Sequence, residues 1–93
     1  MAAASKIHQS HPAIVKRLKR VAGHLRSVVA MIEEQRPCAD IAQQLHSVEK
    51  AIAQAKRTLV HDHIDHCLER SVRTNPHEGR RSIEEFKALS KYL

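Results

Sequence analysis

Apolar residues recur along this chain at alternating spacings of four and three residues, the pattern of an amphipathic helix. The first run is Ile14, Leu18, Val21, Leu25, Val28 and Ile32. Pro12 comes just before it, at a place where the first turn of a helix tolerates proline. Pro37 follows it, and the residue before a proline disfavours the α conformation. The pattern predicts a first helix over about residues 12–34.

The same spacing restarts beyond the proline with Ile41, Leu45, Val48, Ile52, Ala55 and Leu59. No Gly or Pro interrupts the chain from there to Pro76, which predicts a second helix over about 37–72. The segment 73–79 has the composition of a turn, and Ser82 and Glu85 then have the S-x-x-E spacing of a capping box. A short third helix is therefore expected over about 82–92.

These elements predict an all-α chain with a flexible N-terminal segment, 1–11, inside one domain that spans 1–93. The short link between the first two helices favours an antiparallel helical hairpin. A 93-residue monomer buries a modest share of its surface, so self-association is expected. The apolar stripe on the second helix favours pairing with its own copy, which would give a four-helix-bundle dimer.

Composition and charge narrow the class of protein. Aromatic residues make up 2% of the chain, too few for the alternating faces of a sheet. The formal net charge is +6, and residues 1–32 contain six basic side chains and no acidic one. Such a surface suits a polyanion, although a solvated helix face would give the same count. We see no signal peptide or bilayer-spanning stretch, which predicts a cytoplasmic protein with no membrane partner.

Three residues of the predicted second helix have the chemistry of a metal site. His63 and Cys67 are one turn apart on one helix face, and Cys38 lies in the first turn of the helix. Thiolate and imidazole suit Cu(I), Zn(II), Ni(II) and Co(II). Buried structural roles for the same residues are the alternative interpretation.

One chain cannot bring these three side chains together. Cys38 and His63 are 25 residues apart, which is roughly 37 Å of continuous helix. If the second helix packs antiparallel against its symmetry mate about a two-fold axis near residues 51–52, Cys38 of each chain meets His63 and Cys67 of the other. The sequence thus predicts two sites per dimer, each shared between subunits.

The segments Gly23-His24-Leu25, Arg36–Leu45 and His61–Leu68 closely resemble the CsoR/RcnR family of bacterial repressors over about residues 11–93. The resemblance implies a tetramer made of two dimers. It also implies that the metal-free protein binds operator DNA as a repressor, without enzymatic activity or a small-molecule substrate, and that metal releases it and derepresses a metal-efflux operon. Cys38, His63 and Cys67 match the recurring sensor ligands, and Glu85 matches a residue that supports them.

Family features leave the metal open between two branches. A Cys-His-Cys trio matches the copper sensors, but those commonly carry a tyrosine where this chain has Pro37. Nickel and cobalt sensors add an N-terminal ligand, for which His8 and His11 are candidates. His61 and His66 lie off the ligand face, which favours surface positions. We expect Ni(II) or Co(II), with Cu(I) as the alternative and Zn(II) as a further fit.

The resemblance also places the DNA-contacting side chains on the first two helices. The candidates are Lys16, Arg17, Lys19, Arg20, Lys56 and Arg57. No helix-turn-helix signature is present, so phosphate contacts and DNA shape are expected to carry much of the binding.

Two rivals to metal sensing have different chemistry. Within the same fold, Cys38 and Cys67 could react with persulfides, or Cys38 with formaldehyde; His63 is unnecessary for the first, and the N-terminal proline typical of the second is absent. A metal-independent DNA-packaging protein would need the basic surface alone. Sequence motifs for a nucleophile, an acid/base pair or a phosphate loop are lacking, which argues against an enzyme.

Overall fold

The computed structural model of the chain describes residues 9–73 and 76–93. These contain three helices, which we name α1 (His11–Glu33), α2 (Cys38–Arg73) and α3 (Pro76–Ser90). The all-α prediction is confirmed, and the bounds of α1 and α2 agree with the expected ones within one residue. None of the helices in the described ranges is both long and apolar enough to cross a membrane.

The junction between α1 and α2 is a tight helix end at a residue with positive φ. Gln35 has φ 56°, and the amides of Gln35 and Arg36 donate to the carbonyls of Ile32 and Met31 at 3.0 Å each. These bonds form a Schellman motif, which satisfies carbonyls left open at the helix end. Pro37 immediately precedes α2, and its carbonyl accepts from the amide of Ile41 at 3.1 Å, a hydrogen bond of the first turn of that helix.

The chain forms two compact units, and α2 contributes to both. The unit spanning Pro12–Ala55 is the predicted hairpin, with α1 packed against the first part of α2. Its buried core is Val21, Val28 and Val48, against which Ile41 and Ala51 pack. His24 Nε2 and Gln44 Oε1 lie 2.6 Å apart and add a polar contact between the two helices.

The other unit combines the second part of α2, the whole of α3 and, at the N-terminal end, residues 9–11. Val60, Ile64 and Cys67 are buried on α2 at spacings of four and three residues. Ser10 Oγ donates to Asp62 Oδ2 at 2.7 Å and ties the residue before α1 to α2.

The predicted start of the third helix was wrong by six residues. Helix α3 begins at Pro76 and includes Gly79, so Ser82 is an interior position and no N-cap. Proline is tolerated in a first helical turn because its fixed φ is helical and its missing amide proton has no partner there. Pro76, which the composition predicts to lie in a turn, therefore marks the start of α3.

The predicted flexible segment 1–11 falls largely outside the described residues, as does the candidate ligand His8. Its last residue, His11, is the first residue of α1.

Candidate metal centre

Two helices of the second unit bring three ligand-type side chains together. His63, Cys67 and Glu85 each offer an atom within 4.8 Å of the others. Helix α2 presents the first two from successive turns, and α3 presents the carboxylate. Cys67 is 1% exposed, whereas His63 and Glu85 are partly buried, so the group lies at the edge of a packed interface. This is an arrangement that can hold a transition-metal ion.

A single carboxylate oxygen contacts both of the α2 residues. Glu85 Oε2 lies 3.3 Å from His63 Nε2 and accepts from the Cys67 thiol at 3.4 Å. A neutral imidazole that donates Nε2–H to a carboxylate keeps Nδ1 as its lone-pair nitrogen. Contacts of this kind fix the orientation of a metal-binding histidine and raise its basicity. The sequence assigned Glu85 this supporting position from resemblance alone, and the structure places it beside both side chains.

Cys38 is not part of this cluster. It is the first residue of α2, and its thiol is exposed, whereas that of Cys67 is buried; neither thiol is part of a disulfide. The two cysteines are therefore separate within one chain, as the length of the helix requires.

A cavity of about 410 Å³ adjoins the cluster. Its lining includes His11 together with His63 and Glu85, and apolar side chains complete it: Leu59, Ala88 and Leu89. The N-terminal candidate His11 thus faces the same space as the cluster but is not one of its three members.

The neighbouring histidines of α2 stand apart from the cluster. His61 is exposed, and His66 packs its ring at 6.3 Å between centroids from that of His63, tilted by 60°. Neither is grouped with the three ligand-type side chains in the described residues.

The candidate DNA-contacting residues divide between a cavity and open surface. Arg17 and Arg20 line a cavity of about 280 Å³ in the hairpin unit with Val21, His24 and Ala51. The remaining candidates are exposed on α1 and α2: Lys16, Lys19, Lys56 and Arg57. His24 lines the same cavity as the two arginines but was not predicted to do so, because a lone histidine on a helix carries no sequence signal for an anion site.

In the described residues, the fold is entirely helical, and it carries a Cys/His/Glu cluster and a basic hairpin. These features are typical of a helical metal-binding protein with a surface suited to a polyanion. Comparison with known proteins makes this class specific. The family described as "Metal-sensitive transcriptional repressor" matches residues 10–92, and the chain belongs to that family. This confirms the CsoR/RcnR resemblance. The family is one of transcriptional repressors and not of enzymes.

Curated relatives are named as copper sensors. The chain is 34% identical over 74 residues to the copper-sensing transcriptional repressor CsoR of Mycobacterium tuberculosis, covering 80% of this chain and 60% of that protein. It is 36% identical over 72 residues to RicR of the same organism, covering 77% and 75%. It is 33% identical over 82 residues to CsoR of Bacillus subtilis, covering 84% and 79%. No solved structure matches.

The chain thus spans about three fifths of the mycobacterial CsoR.

Proposed function

We propose that this chain is a copper-responsive transcriptional repressor, which binds operator DNA without metal and releases it when Cu(I) binds. The observation that carries the proposal is the contact of one Glu85 oxygen with both His63 and Cys67. This contact holds one imidazole and one thiol of α2 close enough to bind the same metal ion.

The donors in and near this cluster suit a soft ion. Two thiolates and one imidazole would hold Cu(I) through Cys67 and His63 of one subunit and Cys38 of another. Sulfur-rich sets of this kind select Cu(I) over Mg(II), Ca(II) and Mn(II). When bound, the ion would supply a link between helices of two chains. The names of the relatives support copper as the signal.

Exposed apolar residues on α2 support a site shared between subunits. Leu45, Ile52 and Leu59 recur every seven residues and are 40%, 47% and 38% exposed. An antiparallel pairing of two α2 helices centred on Ile52 would cover all three, since Leu45 of one copy would meet Leu59 of the other. The same centre places Cys38 opposite residue 66 of the second copy, between His63 and Cys67.

Helix α1 carries a second set of exposed apolar side chains. Its members are 42–54% exposed and recur at spacings of three, four or seven residues, which keeps them on one side of the helix: Val15, Leu18, Leu25, Val29 and Ile32. This stripe is a further surface for self-association, as assembly of dimers into a tetramer would require.

The operator-binding surface would be the basic face of the hairpin unit. Arg17 and Arg20 meet at a cavity that could receive a phosphate oxygen, and exposed lysines flank them. Guanidinium groups bind phosphate in a bidentate manner, which suits backbone contact without base reading.

Subunit mixing tests the shared site directly. The variants Cys38→Ala and Cys67→Ala each remove one ligand, so each alone should lose tight Cu(I) binding. After the two are unfolded and refolded together, half of the dimers are mixed, and each mixed dimer holds one complete site. The mixture should recover about a quarter of the wild-type tight sites.

Titration of reduced protein with Cu(I) against a competing chelator counts these sites. Cys38→Ala protein that is unfolded and refolded alone is the matched control and should recover none of the tight sites. Absence of recovery in the true mixture would refute a site shared between subunits. Tight Cu(I) binding by wild-type protein without any change in DNA affinity would refute the repressor mechanism.

A nickel- or cobalt-responsive repressor is a second candidate, favoured by the position of His11. This imidazole lines the same cavity as His63 and Glu85, so it could add the nitrogen that Ni(II) and Co(II) require. His11→Ala should then lower Ni(II) affinity by at least tenfold and leave Cu(I) affinity unchanged. Equal Ni(II) affinity in His11→Ala and wild type would exclude His11 as the N-terminal ligand.

A further inference from the structure

A smaller cavity adjoins the other side of the buried cysteine. It has a volume of about 250 Å³ and lies between α2 and α3. Its lining is Cys67, Leu68, Ser82, Ile83 and Phe86. Apart from the thiol, the only polar side chain among these is the hydroxyl of Ser82.

The hydroxyl of Ser82 has no hydrogen-bond partner among the residues that the structure describes, although Ser82 is only 1% exposed. Other helical serines whose side chains are described bond to a carbonyl of the preceding turn. Ser27 donates to the carbonyl of Gly23 at 3.3 Å, and Ser90 donates to that of Lys87 at 2.8 Å. A buried hydroxyl without a partner destabilises a fold, so its retention needs an explanation.

Ser82 and Glu85 are one helical turn apart on α3, and both lie near Cys67 of α2. Glu85 accepts from the thiol at 3.4 Å, while Ser82 shares the cavity with the same side chain. The two polar residues therefore flank Cys67 with opposite capacities. The carboxylate can only accept a hydrogen bond, whereas the hydroxyl can also donate one.

As a metal ligand, Cys67 is a thiolate, which no longer donates to the carboxylate and becomes a strong acceptor. We propose that Ser82 is a positioning residue whose hydroxyl donates to the Cys67 sulfur in the metal-bound protein and is left unpaired in the metal-free protein. This inference rests on the proposed metal-sensing function. The unpaired hydroxyl would destabilise the metal-free protein, and its hydrogen bond to the thiolate would stabilise the metal-bound protein.

Removal of the hydroxyl should therefore have opposite effects on the two states. In Ser82→Ala the metal-free protein should gain a Tm increase of about 5 °C, because a buried unpaired group is removed. Cu(I) affinity should fall about tenfold, the usual effect of losing a hydrogen bond to a metal ligand.

Two further variants separate this from a packing effect. Ser82→Thr keeps the hydroxyl and should retain wild-type Cu(I) affinity. Ser90→Ala removes a hydroxyl from the same helix, where it bonds to a backbone carbonyl, and should leave Cu(I) affinity unchanged.

Thermal denaturation of metal-free protein and Cu(I) competition with a chelator measure the two effects. An unchanged or lower Tm in Ser82→Ala would show that the hydroxyl is satisfied in the free state and overturn the inference. Unchanged Cu(I) affinity in Ser82→Ala would overturn it equally. Failure of the wild-type protein to bind Cu(I) tightly would instead refute the proposed function itself.

Discussion

Glu85 Oε2 lies 3.3 Å from Nε2 of His63, and this contact joins α3 to the face of α2 that carries His63 and Cys67. Glu85→Ala should lower Cu(I) affinity by ten- to a hundredfold, because the imidazole loses the acceptor that fixes its orientation. Chelator competition with reduced protein measures the change. Glu84→Ala is the matched control, since Glu84 is exposed and adjacent on the same helix. Equal affinities in the two variants would show that the contact has no part in metal binding.

A charge at the centre of the exposed α2 stripe should dissociate the dimer. Ile52→Lys places an ammonium group where two copies are proposed to meet, and its burial without a partner is strongly unfavourable. Sedimentation velocity should show a smaller species, and tight Cu(I) binding should be lost with it. Ser47→Lys puts the same charge at another exposed position of α2 and should leave assembly intact. An Ile52→Lys protein that assembles like wild type would move the interface elsewhere.

The basic cavity of the hairpin unit should reveal itself in the salt dependence of operator binding. Arg17→Ala and Arg20→Ala should each weaken DNA binding and reduce the slope of log K against log salt concentration by about 0.9 for each phosphate contact that the oligomer loses. Fluorescence anisotropy across a salt series gives this slope. Lys87→Ala removes a cation from α3, which carries no candidate DNA contact, and should leave the slope unchanged. A similar slope change in all three variants would reduce the effect to net charge.

Replacement of Gln35 by glycine should stabilise the protein. This residue has φ 56° at the end of α1, a conformation that costs an L-residue energy and glycine little. Gln35→Gly should raise the free energy of unfolding by about 0.5–1 kcal/mol, as measured by urea denaturation. Gln43→Gly, at an exposed position within α2, should lower it by about 1 kcal/mol. Destabilisation by both substitutions would mean that the positive φ is not maintained in solution.

The sequence predicted the helices well because their apolar period and their prolines are local signals. It could not say which part of each stripe the chain itself covers. In the first stripe Ile14, Val21 and Val28 are buried, whereas Leu18 and Leu25 remain exposed. A heptad pattern marks every surface that meets an apolar partner, and it does not distinguish the same chain from a second copy.

Ser82 and Glu85 show where local motifs mislead. Their S-x-x-E spacing is that of a capping box, yet the same spacing also places two side chains on one face of a continuous helix. Within α3, Glu85 contacts Cys67 and Ser82 lines a cavity next to Cys67. The i, i+3 relationship was detected correctly, and its cause was tertiary packing across to α2, which no local pattern contains.

The ligand-type pair His63 and Cys67 was predictable from helix spacing, but the way Glu85 joins them was predictable only by resemblance. Residues 18 and 22 positions apart in sequence come into contact through the packing of α3. For the basic cavity, the sequence predicted the two arginines. It did not predict the contact of His24 with Gln44, because these residues lie on different helices.

The unequal exposure of the two cysteines gives the protein an intrinsic reporter. Cys38 is open to solvent and Cys67 is 1% exposed, so a bulky alkylating reagent should label the first thiol long before the second. In the proposed dimer Cys38 is covered by the partner helix, so its labelling rate reports the rate of subunit exchange. Quenched-flow mass spectrometry could measure this labelling rate without a fluorophore or a mutation, and bound metal should lower it.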